Sequence, residues 1–133
     1  MLRLALIFIS ITLFYSCSKP TGIKDLVLNS DSTAINFFKG DGSRDTVMKV
    51  IILRDKKHLQ SLVGFIESER TIDQHCGSDG SLHFFKENIV IEDVSFRMNE
   101  SNCMQFSFLL NGKLFNTRLS PEAKEFLEAL NRK

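Results

Sequence analysis

The chain contains 133 residues, with 17 basic and 16 acidic side chains, 12 phenylalanines, one tyrosine and no tryptophan. This length suffices for one compact domain and is too short for two. A formal charge close to zero, without a basic cluster, argues against nucleic acid as a partner. The phenylalanines indicate core packing, whereas carbohydrate-binding platforms favour Trp and Tyr.

The first residues have the order of an export signal. Arg3 precedes an apolar run that ends at Tyr15, and Ser16 and Cys17 follow. A positive start, an apolar stretch and a small residue at the cleavage point are typical of a secretory signal peptide. The run is shorter than the about 20 apolar residues that span a bilayer. We therefore expect residues 1–16 to be a cleaved signal peptide.

The segment Phe14-Tyr15-Ser16-Cys17 resembles the lipobox of bacterial lipoproteins. The resemblance implies lipidation of Cys17, with a diacylglycerol on its thiol and a further acyl chain, such as palmitate, on its new amino group. Several acyl chains hold a protein durably on a membrane, whereas one holds it only marginally. Ser18 stands where inner-membrane retention signals carry aspartate, which implies the outer membrane of the cell envelope, with the domain in the periplasm or at the cell surface. Ordinary secretion and a retained anchor are the alternatives.

Cleavage would leave 117 residues, with 16 basic and 16 acidic side chains. Residues 17–32 are predicted to be the lipidated cysteine and a tether, because Pro20, Gly22 and scattered polar residues are typical of linkers. Within this stretch, Ile23–Leu28 is compatible with a short first strand. Residues 33–133 are predicted to form a single globular domain.

The domain is predicted to begin with a hairpin and a helix. Two runs rich in β-branched and aromatic residues, 33–39 and 46–54, flank a Gly/Asp turn. The second run is apolar on both faces, which predicts a central strand. Asp55 is a candidate N-cap for a helix that ends near Ser68. Gly64 inside this helix indicates either a close approach to a strand or an early end. The predicted buried stripe consists of Leu59, Leu62, Val63 and Ile66.

Four further strands are predicted as a meander, followed by a helix. Asn111-Gly112 is a strong hairpin signal, since both residues tolerate positive φ. Ser120 and Pro121 mark the start of the last helix. The fold class is therefore α+β: a two-layer sandwich with a mostly antiparallel sheet. The four strands are Leu82–Phe85, Ile89–Met98, Cys103–Leu110 and Lys113–Leu119, and the predicted pairs are Phe108 with Phe115, Phe106 with Thr117, Met104 with Leu119, Phe96 with Phe106 and Val94 with Phe108.

Cys76 and Cys103 are predicted to form a disulfide. In an exported chain whose Cys17 carries lipid, the remaining cysteine count is even. The meander also brings the chain before Leu82 towards the turn that precedes Cys103. The predicted disulfide would tie an irregular loop to the edge of the sheet.

The irregular stretch 71–80 is the predicted interaction loop, with His75, Ser78 and Asp79 as its candidate contact residues. Loops held by a rigid scaffold tend to carry recognition. A simple connector explains this stretch equally well.

Known chemical motifs are weak in this sequence. His75, Cys76, His83 and Cys103 lack the paired spacing of zinc ligands, and Gly77–Gly80 lacks the final acidic ligand of a calcium loop. No catalytic residue and no cofactor site is predicted. The sequence thus favours a small, non-enzymatic binding domain for a protein or small-molecule partner. The alternatives are a small metal-assisted enzyme or metal-binding protein using His75, Asp79 and His83, and a structural envelope component.

Overall fold

The computed structural model describes residues 21–72 and 74–133. The predicted signal peptide, Cys17 and the first part of the tether therefore lie outside the described residues. No helix in the described part of the chain has the length and apolar character needed to cross a membrane. In chain order the elements are α1 (Ile23–Val27), β1 (Ser32–Phe38), β2 (Val47–Leu53), α2 (Lys56–Ile66), β3 (Gly80–Lys86), β4 (Ile89–Arg97), β5 (Gln105–Leu110), β6 (Lys113–Arg118) and α3 (Pro121–Arg132).

The six strands form one antiparallel sheet in the order β2-β1-β3-β4-β5-β6. The three helices bury their apolar residues against one face, which we call the covered face. This arrangement confirms the predicted α+β sandwich. Its core includes Phe37 and Phe96, whose rings meet edge to face with centroids 5.8 Å apart.

The hairpin and the meander agree with the sequence pattern. Asn111 and Gly112 have φ values of 51° and 74°, which fit the tight turn expected of this pair. The turn fixes the register of β5 and β6, so that the apolar alternates share the covered face. The structure confirms the pairs Phe108 with Phe115, Phe106 with Thr117, Phe96 with Phe106 and Val94 with Phe108. In addition, the backbone N–H of Leu119 donates to the carbonyl of Met104.

The stretch expected as a tether and possible first strand is instead a short helix. α1 buries Ile23 and Val27, which lie one helical turn apart, in the core. The carboxylate of Glu67, just after α2, accepts hydrogen bonds from the backbone N–H groups of Thr21 and Lys24. It thereby satisfies donors at the start of α1 that have no partner inside the helix. The packed domain thus begins before residue 33.

β2 lies at the edge of the sheet, so the prediction that it is central is wrong. Its apolar residues on the face opposite the helices are exposed, among them Met48, Val50 and Ile52. Lys49 lies on the covered face, and its Nζ donates to the carbonyl of Asn131 at the end of α3 over 2.6 Å. An inward-pointing lysine is a common device against pairing of an edge strand with another chain.

The other edge strand, β6, is covered by the chain itself. The backbone N–H of Arg118 donates to the carbonyl of Glu69 over 2.7 Å. The N–H of Thr71 donates to the carbonyl of Asn116 over 3.0 Å. The segment after α2 therefore occupies hydrogen-bonding positions that a seventh strand would use.

Both longer helices begin at the predicted caps. The side chain of Asp55 accepts from the N–H of His58, and that of Ser120 accepts from the N–H of Ala123. The predicted stripe of α2 is buried. A Cβ at Gly64 would meet no atom within 4 Å, so the predicted close approach to a strand is wrong, and α2 ends at Ile66 as the early-end alternative requires.

Candidate functional site

The face of the sheet opposite the helices carries a row of small polar side chains. Because side chains alternate between the two faces of a strand, the neighbours of the core residues point to this second face, which we call the open face. Ser107 Oγ donates to Asn116 Oδ1 over 2.6 Å, and Asn36 Nδ2 donates to Ser81 Oγ over 3.3 Å. We define the polar row as five residues in register on successive strands: Asn36, Ser81, Ser95, Ser107 and Asn116.

Four members of the polar row, all except Asn36, line a cleft of about 910 Å³. Apolar side chains line it as well, among them Leu109 and Leu114, which are 59% and 47% exposed. Pockets for small ligands have volumes of about 300–1,000 Å³ and combine apolar walls with a few polar groups. The size and the mixed lining of this cleft fit that description.

Two loops, residues 40–44 and 75–79, pack on each other beside the cleft. The guanidinium of Arg44 donates two hydrogen bonds to Ser78 Oγ, over 3.1 and 2.9 Å, and the N–H of Ser78 donates to the carbonyl of Gly42. Gly77 has a φ of +74°, and a Cβ there would lie 2.4 Å from the carbonyl oxygen of Gly42. Glycine is thus required at position 77 for two reasons: its backbone conformation and the close approach of the loops.

The carboxylate of Asp79 holds the second loop onto β4. Oδ1 accepts from Nη1 of Arg97 over 2.5 Å, and Oδ2 accepts from the backbone N–H groups of Met98 and Asn99 over 2.7 and 2.9 Å. Asp79 and Arg97 are 2% and 9% exposed. Removing one member of such a buried pair is destabilising because the other charge loses its partner while it stays buried. The Asp79–Arg97 pair is therefore a structural clamp.

The position of Ser78 and Asp79 corrects the predicted interaction loop. Both side chains are buried and use their polar atoms inside the protein. They therefore do not form the expected contact surface. His75 is exposed and does line the cleft. The part of the loop that borders the cleft is thus His75–Gly77.

Cys76 and Cys103 are joined by a disulfide, with their Cα atoms 6.0 Å apart. Cys76 also lines the cleft, whereas Cys103 is buried. The bond links the loop beside the cleft to the turn between β4 and β5. The loop is therefore fixed at two neighbouring points, by the disulfide and by the carboxylate of Asp79.

The residues proposed for metal-assisted chemistry are not brought together as ligands. In the described ranges, 21–72 and 74–133, one group of three residues has metal-ligand atoms within 4.8 Å of one another. It consists of Cys76, Glu100 and Cys103. Both sulfur atoms of that group are in the disulfide, and the thiolate is the form that binds metal. The set His75, Asp79 and His83 forms no such group in the described part of the chain.

His83 instead belongs to a hydrogen-bonded network on the open face. Its Nδ1 lies 2.5 Å from Oδ1 of Asp93, and its Nε2 lies 3.0 Å from Ser81 Oγ and 3.0 Å from Asn36 Nδ2. Pairing of β3 with β4 places His83 opposite Asp93, while Ser81 lies two residues earlier on the same strand and face. The alternation of Ser81 and His83 is visible in the sequence. The contribution of Asp93 becomes visible only when the strand register is known.

Glu92, next to Asp93, also lines the cleft. It lies at an irregularity where the register between β3 and β4 shifts. Burial raises the pKa of the Glu92 carboxyl above its ordinary value, and the negative charge of Asp93 acts in the same direction, whereas a hydrogen bond from the N–H of Asp93 opposes the shift. The cleft therefore contains a carboxyl group that holds its proton more tightly than usual.

No protein-family model, no curated protein and no solved structure matches this chain.

Proposed function

We propose that the protein is a membrane-anchored envelope lipoprotein whose folded domain binds a small ligand in the cleft of the open face. The observation that carries the proposal is the contrast between the two faces of one sheet. Helices cover one face, while the other presents a cleft of about 910 Å³ with hydrogen-bonding groups along its lining. Recognition, rather than chemical turnover, is the main role proposed for this domain.

The lining indicates the kind of ligand. Ser95, Ser107 and Asn116 offer neutral donors and acceptors, and Leu109 and Leu114 offer apolar contact area. A ligand with polar groups along one side and an apolar side would satisfy both parts of the lining. The disulfide and the Asp79–Arg97 pair hold the loop beside the cleft in place, which favours binding because a preformed site loses little conformational freedom when a ligand enters.

Binding is tested by native mass spectrometry of the full-length protein after incubation with a low-molecular-mass extract of the cell envelope. We compare the wild type with Ser107→Arg, which places a long side chain on the floor of the cleft. Ser61→Arg is the matched control, since Ser61 is exposed on α2. We expect a retained adduct on the wild type and on the control, and none on Ser107→Arg. An adduct on all three proteins, or on none, would contradict the proposed site.

The anchor is tested separately. We expect the native protein to partition into the detergent phase of a phase separation, and the mature amino terminus to be an acylated Cys17 by mass spectrometry. Cys17→Ser is expected to move the protein to the aqueous phase. An intact Met1 or an unmodified Cys17 in the native protein would refute lipidation without affecting the test of the cleft.

A further inference from the structure

We infer that Ser81 is a nucleophile that accepts an acyl group from an ester in the cleft, with His83 as its general base. This reactivity goes beyond binding, because it makes and breaks covalent bonds. It rests on the network of Ser81, His83 and Asp93 and on the place of that network beside the cleft.

The three side chains are connected in the order hydroxyl, imidazole and carboxylate. Ser81 Oγ lies 3.0 Å from Nε2 of His83, and Nδ1 of the same ring lies 2.5 Å from Oδ1 of Asp93. The same connectivity activates serine on several unrelated folds, where it is recognised by geometry and not by sequence order. Here two adjacent strands supply it, because β3 carries Ser81 and His83 while β4 carries Asp93.

The carboxylate determines which nitrogen of His83 carries the proton. An ionised carboxylate only accepts hydrogen bonds, so the ring nitrogen that faces Asp93 must be the donor. In the neutral ring, Nε2 then holds the free lone pair, and both Ser81 Oγ and Asn36 Nδ2 lie 3.0 Å from it as donors. This tautomer is the one that a general base for Ser81 requires.

The network is open to a ligand. Ser81, His83 and Asp93 all line the cleft, and the side chain of His83 is 32% exposed. Asn36 Nδ2 lies 3.3 Å from Ser81 Oγ. The same amide nitrogen lies 3.0 Å from Nε2 of His83, so it is within hydrogen-bond distance of both the hydroxyl and the ring.

The reaction is a transfer of an acyl group. Ser81 Oγ forms a bond to the carbonyl carbon of the ester while its proton moves to Nε2 of His83. The bond between that carbon and the alcohol oxygen then breaks, and the departing alcohol takes the proton from Nε2. The products are an acyl ester of Ser81 and a free alcohol, so no oxidant, metal or further reactant is required.

The test uses two probes on the full-length protein: p-nitrophenyl acetate and a fluorophosphonate. We expect release of p-nitrophenolate with acetylation of Ser81, and a phosphonyl adduct at the same residue by peptide mass spectrometry. Ser81→Ala is expected to abolish both modifications. His83→Ala is expected to slow them at least about 100-fold, within the range that a general base contributes. Ser61→Ala, at an exposed position of α2, is the matched control and should react like the wild type.

Asp93 is a positioning residue, and its test has a spectroscopic readout. The ¹⁵N shifts of the His83 ring should show a protonated Nδ1 in the wild type, and Asp93→Asn should change the tautomer and slow acylation while the thermal midpoint stays the same. Absence of modification at Ser81, equal modification of Ser81→Ala, or an unchanged rate in His83→Ala would overturn the inference. Each of these results is compatible with reversible binding in the cleft, so the proposed function is judged independently.

Discussion

On the covered face of the sheet, alternate residues of the strands are apolar and pack against three helices. On the open face, the intervening residues form the polar row. Two loops stand beside it: residues 75–79 are fixed by the Asp79–Arg97 pair and the disulfide, and residues 40–44 pack on them. The covered face derives its stability from apolar burial, whereas the region around the cleft relies on a few directed bonds. Substitutions on the two faces should therefore lower the free energy of unfolding by different amounts.

The largest effect is expected on the covered face. Phe96 is 1% exposed and packs edge to face on Phe37. Phe96→Ala removes this contact and leaves a cavity, so we expect the free energy of unfolding to fall by about 3–5 kcal/mol. Leu109→Ala on the open face is the matched control, with an expected change within about 0.5 kcal/mol. Urea denaturation measures the free energy of unfolding of both variants. Similar decreases in the two would show that the faces do not differ in their contribution to stability.

A comparable loss is expected at the loop clamp. Asp79→Ala leaves the guanidinium of Arg97 buried without its main partner, and we expect a loss of about 3–4 kcal/mol. The double variant Asp79→Ala with Arg97→Met should be less destabilised than the two single losses added together. Denaturation of all three variants gives the coupling energy. Simple additivity would show that the buried pair does not act as a unit.

The disulfide should contribute about 3.5 kcal/mol, because it closes a loop with a sequence separation of 27. We expect Cys76→Ala with Cys103→Ala to lower the free energy of unfolding by that amount and to leave the sheet intact by circular dichroism. Thiol titration of the wild type in denaturant without reductant should find neither cysteine free. Two reactive thiols would show that the loop is held by the Asp79–Arg97 pair alone.

The smallest effect concerns Glu92 and pH. Because its folded pKa is raised, the folded protein binds more protons than the unfolded chain between the ordinary carboxyl value and that raised value. The contribution of Glu92 to stability is therefore full below the ordinary value and declines as pH rises through the raised one. Denaturation curves from pH 4 to 7 should show this decline in the wild type and less of it in Glu92→Gln. Parallel curves would indicate that Glu92 has the same pKa in both states.

The strand order of the meander was predictable because its signals are local. Asn111-Gly112 determines one turn, and the alternation of apolar residues then determines the register. The prediction of a central position for β2 is wrong because it rests on local signals alone. A strand that is apolar on both faces is typically central, whereas the edge position of β2 depends on which strands pair with β1. The sequence pattern does not predict α1, because the carboxylate that accepts from the N–H of Lys24 at its start belongs to Glu67, 43 residues away.

The candidate site was predictable only in part. The bond between Cys76 and Cys103 followed from cysteine count and topology, and the structure has this bond. Asp79 is predicted as a contact residue because loops held by a rigid scaffold tend to carry recognition, whereas the structure pairs its carboxylate with Arg97 from a different element. The network around His83 needs the register of β3 and β4. Local residue types therefore indicated the polar positions, and three-dimensional pairing determined their roles.

The hydrogen bonds of Thr21 to Glu67 also determine how a lipid at Cys17 would orient the domain. Only three residues separate Cys17 from Thr21, a reach of about 14 Å at the usual extended spacing. Because Thr21 lies in the layer of helices, a lipid on Cys17 would keep that layer next to the phospholipid headgroups. The cleft, on the far side of the sheet, would then face the aqueous space, and a ligand would reach it without passing the bilayer.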